Sequence, residues 1–265
     1  MENSSFNHCN LPPWVIASRH FNDNPQTIEI QGVRTANRFF FDKLDATASP
    51  EERAAVFNDY MSVKFQLHQW QEQGTAAARK SLKNSYLRFL RGWMMDSNSP
   101  EGAVLKGWVE SRMGLAPTFH NERIGGIHEE EYMKYAVDRT KGSARTSAIN
   151  SQLDLLYEYC QYELAKKYSD RNHLTLYRGT FERSEHDVLE TVSRREEIVR
   201  LNNLNSFTTD EERAWEFGFI VWEVKVPLSK IFFFSELLPN SILKGEGECL
   251  VIGGEYKVKR LLCTV

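Results

Sequence analysis

Three short segments in the C-terminal part of this 265-residue chain hold residue types that could act together: LYRG around Arg178, NSFTTD around Ser206 and Thr208, and GEGECLVIGG around Glu246 and Glu248. Each taken singly has an ordinary explanation. A strand arginine commonly makes a surface ion pair, a Ser/Thr cluster before DEE caps a helix, and a Glu-x-Glu pair sits on an exposed edge. Arg178 nevertheless offers a rigid donor fork that pairs well with phosphate. Residues two apart in a strand share a face about 6.6 Å apart, so Glu246 and Glu248 are expected to point into one cleft unless a bulge intervenes. Gly247 between them admits close backbone approach. Two like-charged carboxylates facing a core would be costly, so the pair should line something polar. The apolar continuation Cys249-Leu250-Val251-Ile252 places them at the open end of a strand that enters the core.

Other familiar sites are missing. There is no GxGxxG after a strand, no GxxxxGK[ST] and no GxSxG, and His128-Glu129 is followed by Glu130-Glu131-Tyr132 where a zincin needs a second histidine. That run reads as a helix start with acidic residues at the positive end of the dipole, and Gly125-Gly126 before it as a turn. Glycine is scarce, 15 of 265 residues, against a usual share of about 7%, which disfavours a glycine-rich nucleotide loop. Cys9, Cys160, Cys249 and Cys263 lie far apart and fit neither a disulfide framework nor a zinc site, so buried free thiols and no metal are expected. Lys+Arg 33 against Asp+Glu 36 gives a net charge of −3, without the basic footprint of a nucleic-acid binder. No apolar run approaches the roughly 20 residues of a membrane span, and the opening MENSSFNHCNLPPW lacks a basic region followed by an apolar stretch. A cytoplasmic protein without stable membrane insertion is expected.

The elements that must position these residues fall into two kinds. From about Ser49 to Tyr168 the apolar period is helical, with Leu82, Tyr86, Phe89, Leu90 and Trp93 forming one stripe and Leu153, Leu156, Tyr157, Cys160 and Leu164 another. Both stripes read as core. Ser49-Pro50 with Glu52, and Ser99-Pro100, mark helix starts. After His173 the period becomes two, in HLTLYRGTF, FIVWEVKVP, IFFF, ECLVIGG and EYKVKRLLCTV, with a short helix at Asp210–Phe217 capped by Thr209 and Glu212. The expectation is α+β: a mostly helical region over 1–170 and a strand-rich region over 171–265, packed as one unit.

An arginine after a strand, Ser-x-Thr at the next strand and Glu-x-Glu opening a late strand resemble the R-S-E class of mono-ADP-ribosyltransferases. That pattern covers only residues from about 174 to 262. The opening NLPPWVIASRHFN and the helical region extend the resemblance over nearly the whole chain to the bacterial dinitrogenase reductase ADP-ribosyltransferases, regulators of nitrogenase.

The resemblance implies a β-sandwich catalytic core with a helical region that serves partner recognition and lines part of an NAD cleft. It implies NAD+ as co-substrate and transfer of ADP-ribose to an arginine of the nitrogenase iron protein, with a PII signalling protein as activator. Glu248 would hold the nicotinamide ribose, Arg178 the phosphates, and the Gly179 backbone the nicotinamide amide. Ser206 would orient Glu248, with Thr208 as the third position of its motif and Phe207 packed against nicotinamide. Glu246 would hold the acceptor arginine and take its proton. The segment from Phe232 to Asn240 matches a substrate-recognition loop, in which Phe234 would touch the protein target and Phe232 and Phe233 read equally well as buried strand. Rival readings keep the chemistry but change the target, as in an effector or toxin, or keep the fold as a non-catalytic binding module.

Overall fold

The computed structural model describes residues 7–67, 85–144, 146, 148–181, 186–238 and 247–261. Helices dominate up to Lys167: α1 (Pro13–Ala17), α2 (Arg19–Asp23), α3 (Val33–Ala36), α4 (Arg38–Asp45), α5 (Pro50–Lys64), α6 (Tyr86–Met95), α7 (Pro100–Met113), α8 (Glu130–Ser143) and α9 (Ile149–Lys167). A two-stranded ribbon, β1 (Phe119–His120) and β2 (Glu122–Arg123), interrupts them. Then come β3 (His173–Thr180), β4 (Asp187–Thr191), β5 (Glu196–Thr208), the short helix α10 (Glu211–Ala214), β6 (Ile220–Pro227), β7 (Ile231–Phe234) and β8 (Glu248–Leu261). The architecture is α+β, as expected.

Local chemistry accounts for the helix starts. Ser49 accepts from the Glu52 N–H and Ser99 from the Gly102 N–H, each with proline following in the first turn. At α10 the expected Thr209 cap is replaced by Asp210, whose carboxylate accepts from the N–H groups of both Glu212 and Arg213. A carboxylate also gains from the helix dipole, which a threonine hydroxyl does not.

The strands form a six-stranded antiparallel sheet in the order β4-β5-β3-β6-β8-β7, and an additional β5–β8 pairing closes β5, β3, β6 and β8 into a ring. β5 and β8 run together from Glu196 opposite Lys259 to Thr208 opposite Glu248. β3 meets β5 at one pair, Tyr177 and Thr208, so Glu248, Thr208 and the Arg178 region converge at one end of the sheet. ECLVIGG and the start of EYKVKRLLCTV, which read as two strands, form one 14-residue strand, Glu248–Leu261, and residues 262–265 lie outside the described residues. Gly254, with φ of +123°, turns it opposite a bulge between Leu201 and Leu204, and a Cβ there would lie 2.6 Å from the Ala17 carbonyl oxygen of α1.

One apolar cluster joins helices and sheet, from Ile16 and Phe57 through Trp108 and Tyr157 to Phe232, Ile252 and Val258. At its centre α9 is buried on nearly all sides, including the whole expected stripe from Leu153 to Leu164. Its buried carboxylates are therefore partnered. Glu163 takes a bidentate pair from Arg53 at 2.6 and 2.8 Å, and Asp154 accepts from Arg112 and from the Trp108 indole. Cys9, Cys160 and Cys249 are buried free thiols, and Cys263 lies outside the described residues.

Candidate active site

β5 puts Ser206 and Thr208 on one face of the strand and Phe207 on the other. Because Thr208 stands opposite Glu248, Ser206 is the diagonal neighbour of that glutamate, within reach of a long side chain. The Ser206 hydroxyl donates to Glu248 Oε1 at 2.7 Å. From β3, Arg178 Nη1 donates to the Ser206 carbonyl at 2.8 Å, so the arginine and the serine are tied through the backbone as well. Three residues singled out from the sequence, Arg178, Ser206 and Glu248, are thus brought together.

Arg178 and Ser206 open onto a cavity of about 580 Å³ between the sheet and the helical part. β5 contributes Arg200, Asn202, Leu204 and Asn205. The opposite wall is helical and loop: Trp93 of α6, Asn98, Lys106 of α7, residues 116–119 and 123–127, and Tyr132 of α8. Among the described walls Lys106, Arg123, Arg178 and Arg200 are basic and Asp187 alone is acidic, a balance suited to a polyanionic ligand. Arg123 forms an ion pair with Asp187, and Arg200 lies 3.6 Å from Glu255.

The helical wall is stapled to β5 at its bulge. The Asn202 side chain accepts from the Thr118 N–H at 2.9 Å and donates to the Phe119 carbonyl at 2.9 Å, while Asn203 donates to the carbonyls of Lys106 and Leu115. Lys106 is buried. Its ammonium donates to Asn98 Oδ1 and to the Phe119 carbonyl, both at 3.0 Å, and lies 3.3 Å from His120 Nδ1. Burial pulls its pKa down to about 7, and burial together with the Lys106 charge pulls His120 down to about 4. His186 lines the sheet side and is pulled to about 3 by burial and then by Arg178.

Trp93 links the two walls. Its indole N–H donates to Ser206 Oγ at 2.8 Å, and Lys106 Nζ sits 5.8 Å from its ring centre. Neither Trp93 nor Lys106 stood out in the sequence as a site residue. Trp93 belongs to an apolar helical stripe that reads as core, and helical lysines are usually surface. The one available signal for Lys106 was its setting in AVLKGWV, apolar on both sides. The Gly125-Gly126 turn also lines the cavity, with the Gly125 N–H donating to Glu129 at 2.9 Å.

Phe207 is 3% exposed and belongs to the apolar core, on the face of β5 opposite Ser206, so it does not reach the cavity. Thr208 is buried at the end of β5, where its hydroxyl accepts from the Asp210 N–H. Phe234 is fully buried in β7 with Phe232 and Phe233, paired with Cys249 and with Lys167 Nζ 5.2 Å from its ring centre. Its side chain is enclosed in the core, away from the surface position expected for contact with a target. Gly179 abuts the segment after α10, where a Cβ would lie 2.1 Å from the Ala214 carbonyl oxygen. Glu246 lies outside the described residues. The strand begins at Glu248, and Gly247 before it is left-handed with φ of +53°, so the strand alternation expected through Gly247 is broken there. Among the described residues no group of three or more His, Cys, Asp and Glu is placed to hold a metal, and no helix is long and apolar enough to cross a membrane.

Residues 6–260 match the family model described as dinitrogenase reductase ADP-ribosyltransferase. The chain is 43% identical over 259 residues, 96% of its length and 94% of the other's, to a protein of Rhodospirillum rubrum named NAD(+)--dinitrogen-reductase ADP-D-ribosyltransferase. No solved structure shows a significant match.

Proposed function

The chain belongs to the dinitrogenase reductase ADP-ribosyltransferase family, and from that premise we propose that it transfers ADP-ribose from NAD+ to an arginine of dinitrogenase reductase, the nitrogenase iron protein, and so switches nitrogen fixation off. The observation that carries this reading is the Ser206 to Glu248 hydrogen bond beside Arg178, where Arg178 and Ser206 line a cavity of about 580 Å³.

In this reading Arg178 holds the phosphates and the Gly179 backbone contacts the nicotinamide amide. Glu248 accepts from a hydroxyl of the nicotinamide ribose. The glycosidic C–N bond breaks, nicotinamide leaves with the bonding pair as a neutral ring, and the positive charge developing on the ribose is stabilised by the Glu248 carboxylate. A guanidinium nitrogen of the target then bonds to the ribose carbon. Glu246, assigned from the Glu-x-Glu spacing, holds that guanidinium and takes the proton it loses. A bulky anionic group in place of an interface arginine's charge obstructs docking of the iron protein with its own partner. The family resemblance further supports a PII signalling protein as activator and a cytoplasmic location.

The test incubates the protein with labelled NAD+ and purified ADP-bound iron protein and maps the label by mass spectrometry. Label on a single iron-protein arginine is expected. Transfer to other proteins but never to this one overturns the reading. Glu246→Gln is expected to remove arginine transfer while leaving some NAD+ hydrolysis, and equal loss of both refutes the division between the two glutamates.

A further inference from the structure

We infer that Trp93 is a positioning residue for the transfer step: its indole N–H fixes the direction in which the Ser206 hydroxyl points and thereby the orientation of Glu248. The inference rests on the catalytic role assigned above to Glu248. A serine hydroxyl carries one hydrogen and two acceptor lone pairs, so by itself it can face either of two neighbours in either sense. An indole N–H is donor only, and an ionised carboxylate is acceptor only. With Trp93 Nε1 at 2.8 Å on one side and Glu248 Oε1 at 2.7 Å on the other, only one hydrogen arrangement makes both bonds: indole to serine, serine to carboxylate.

The surroundings hold that arrangement. Trp93 is 3% exposed, which limits the access of water to its side chain. The Ser206 carbonyl is engaged by Arg178, which anchors the serine from its backbone. The indole ring lies near Lys106, whose ammonium is fixed by Asn98 and the Phe119 carbonyl. Without the indole donor, the Ser206 hydroxyl is free to rotate from Glu248 toward other acceptors, and a carboxylate that must meet a ribose hydroxyl loses its fixed orientation. The helical part therefore enters the chemistry through one N–H group.

The experiment compares the full-length protein with Trp93→Phe and with a protein carrying the benzothienyl isostere of tryptophan at residue 93, which keeps ring size and shape and replaces N–H by sulfur. Both are measured with NAD+ and purified iron protein, alone and combined with Ser206→Ala, beside Glu248→Gln. Loss of the hydrogen bond is expected to lower kcat about tenfold while KM for NAD+ changes less than about twofold. Because Trp93 acts through Ser206, the double variant is expected to be no slower than Ser206→Ala alone. An isostere protein with wild-type kcat, or a loss that adds fully to that of Ser206→Ala, overturns the inference. If Trp93→Phe prevents folding, the isostere decides. Wild-type turnover by Glu248→Gln overturns the site reading and this inference with it, whereas a dead Glu248→Gln beside a fully active isostere protein removes the Trp93 inference alone.

Discussion

In the proposed site the strand-rich part of the molecule contributes the two charged groups, Arg178 and Glu248, with the serine that joins them, and the helical part contributes groups that hold others in place. Arg178, Ser206 and Glu248 converge from β3, β5 and β8 at one end of the sheet. Across the cavity, Trp93, Asn98 and Lys106 come from α6, α7 and the turn between them, and each is hydrogen-bonded to another part of the wall or the site. The difference teaches that a reacting group can be recognised by residue type within a short motif, while the groups that orient it are chosen for reach and shape. Those have no motif of their own.

The sharpest separation of the two regions comes from Glu248→Gln, which keeps size and a hydrogen-bond acceptor but removes the charge. NAD+ cleavage is expected to fall about a thousandfold with the thermal transition unchanged. A comparable loss from any helical-wall variant that stays folded would break the comparison. Phe234→Ala comes next, with a cost of about 3–5 kcal/mol in stability by chemical denaturation, as for other buried phenylalanines. Its KM for the iron protein is expected to stay at the wild-type value in the folded fraction; a selective rise would place Phe234 in target recognition despite its burial.

Arg178→Lys retains the charge and loses the fork, so KM for NAD+ is expected to rise about tenfold, equivalent to about 1.4 kcal/mol. A larger effect on kcat than on KM would move Arg178 from binding into the chemical step. The smallest effect is expected on the helical wall. The Lys106 pKa is depressed in the folded protein to about 7, so above that pH the unfolded chain holds a proton that the folded one has released. Stability of the wild type relative to Lys106→Met should therefore rise with pH, by about 1 kcal/mol between pH 7 and 8. A flat difference across that range would mean that the ammonium's hydrogen bonds keep it charged despite burial.

Periodicity was enough to divide the chain into helical and strand-rich parts, and cap chemistry at Ser49 and Ser99 was legible because a proline and a short polar side chain leave few alternatives. The two C-terminal strands proved to be one because Gly253-Gly254 looks like a stop in sequence, whereas here it absorbs a bulge in the partner strand. Arg178, Ser206 and Glu248 were legible as a constellation, since polar residues at fixed offsets within apolar strands have few structural uses. Phe207 and Phe234 are both placed in the core: in a strand Phe207 faces away from its neighbour Ser206, and Phe234 continues the buried run Phe232-Phe233 of β7. Trp93 and Lys106 were hidden because burial against a cavity wall and burial in a core leave the same apolar pattern.

The span between Trp93 and Glu248 has a consequence for biosynthesis. The site is complete only when an early helix and a strand made more than 150 residues later have met, by subtraction of those two residue numbers. A growing chain still on the ribosome carries Arg178 and Ser206 without their carboxylate, and with the role proposed for Glu248 it should be inert toward NAD+ however well its helices have formed. On that proposal activity begins with the docking of β8, and a shorter translation product of this chain that stops before Glu248 should leave the cell's NAD+ untouched.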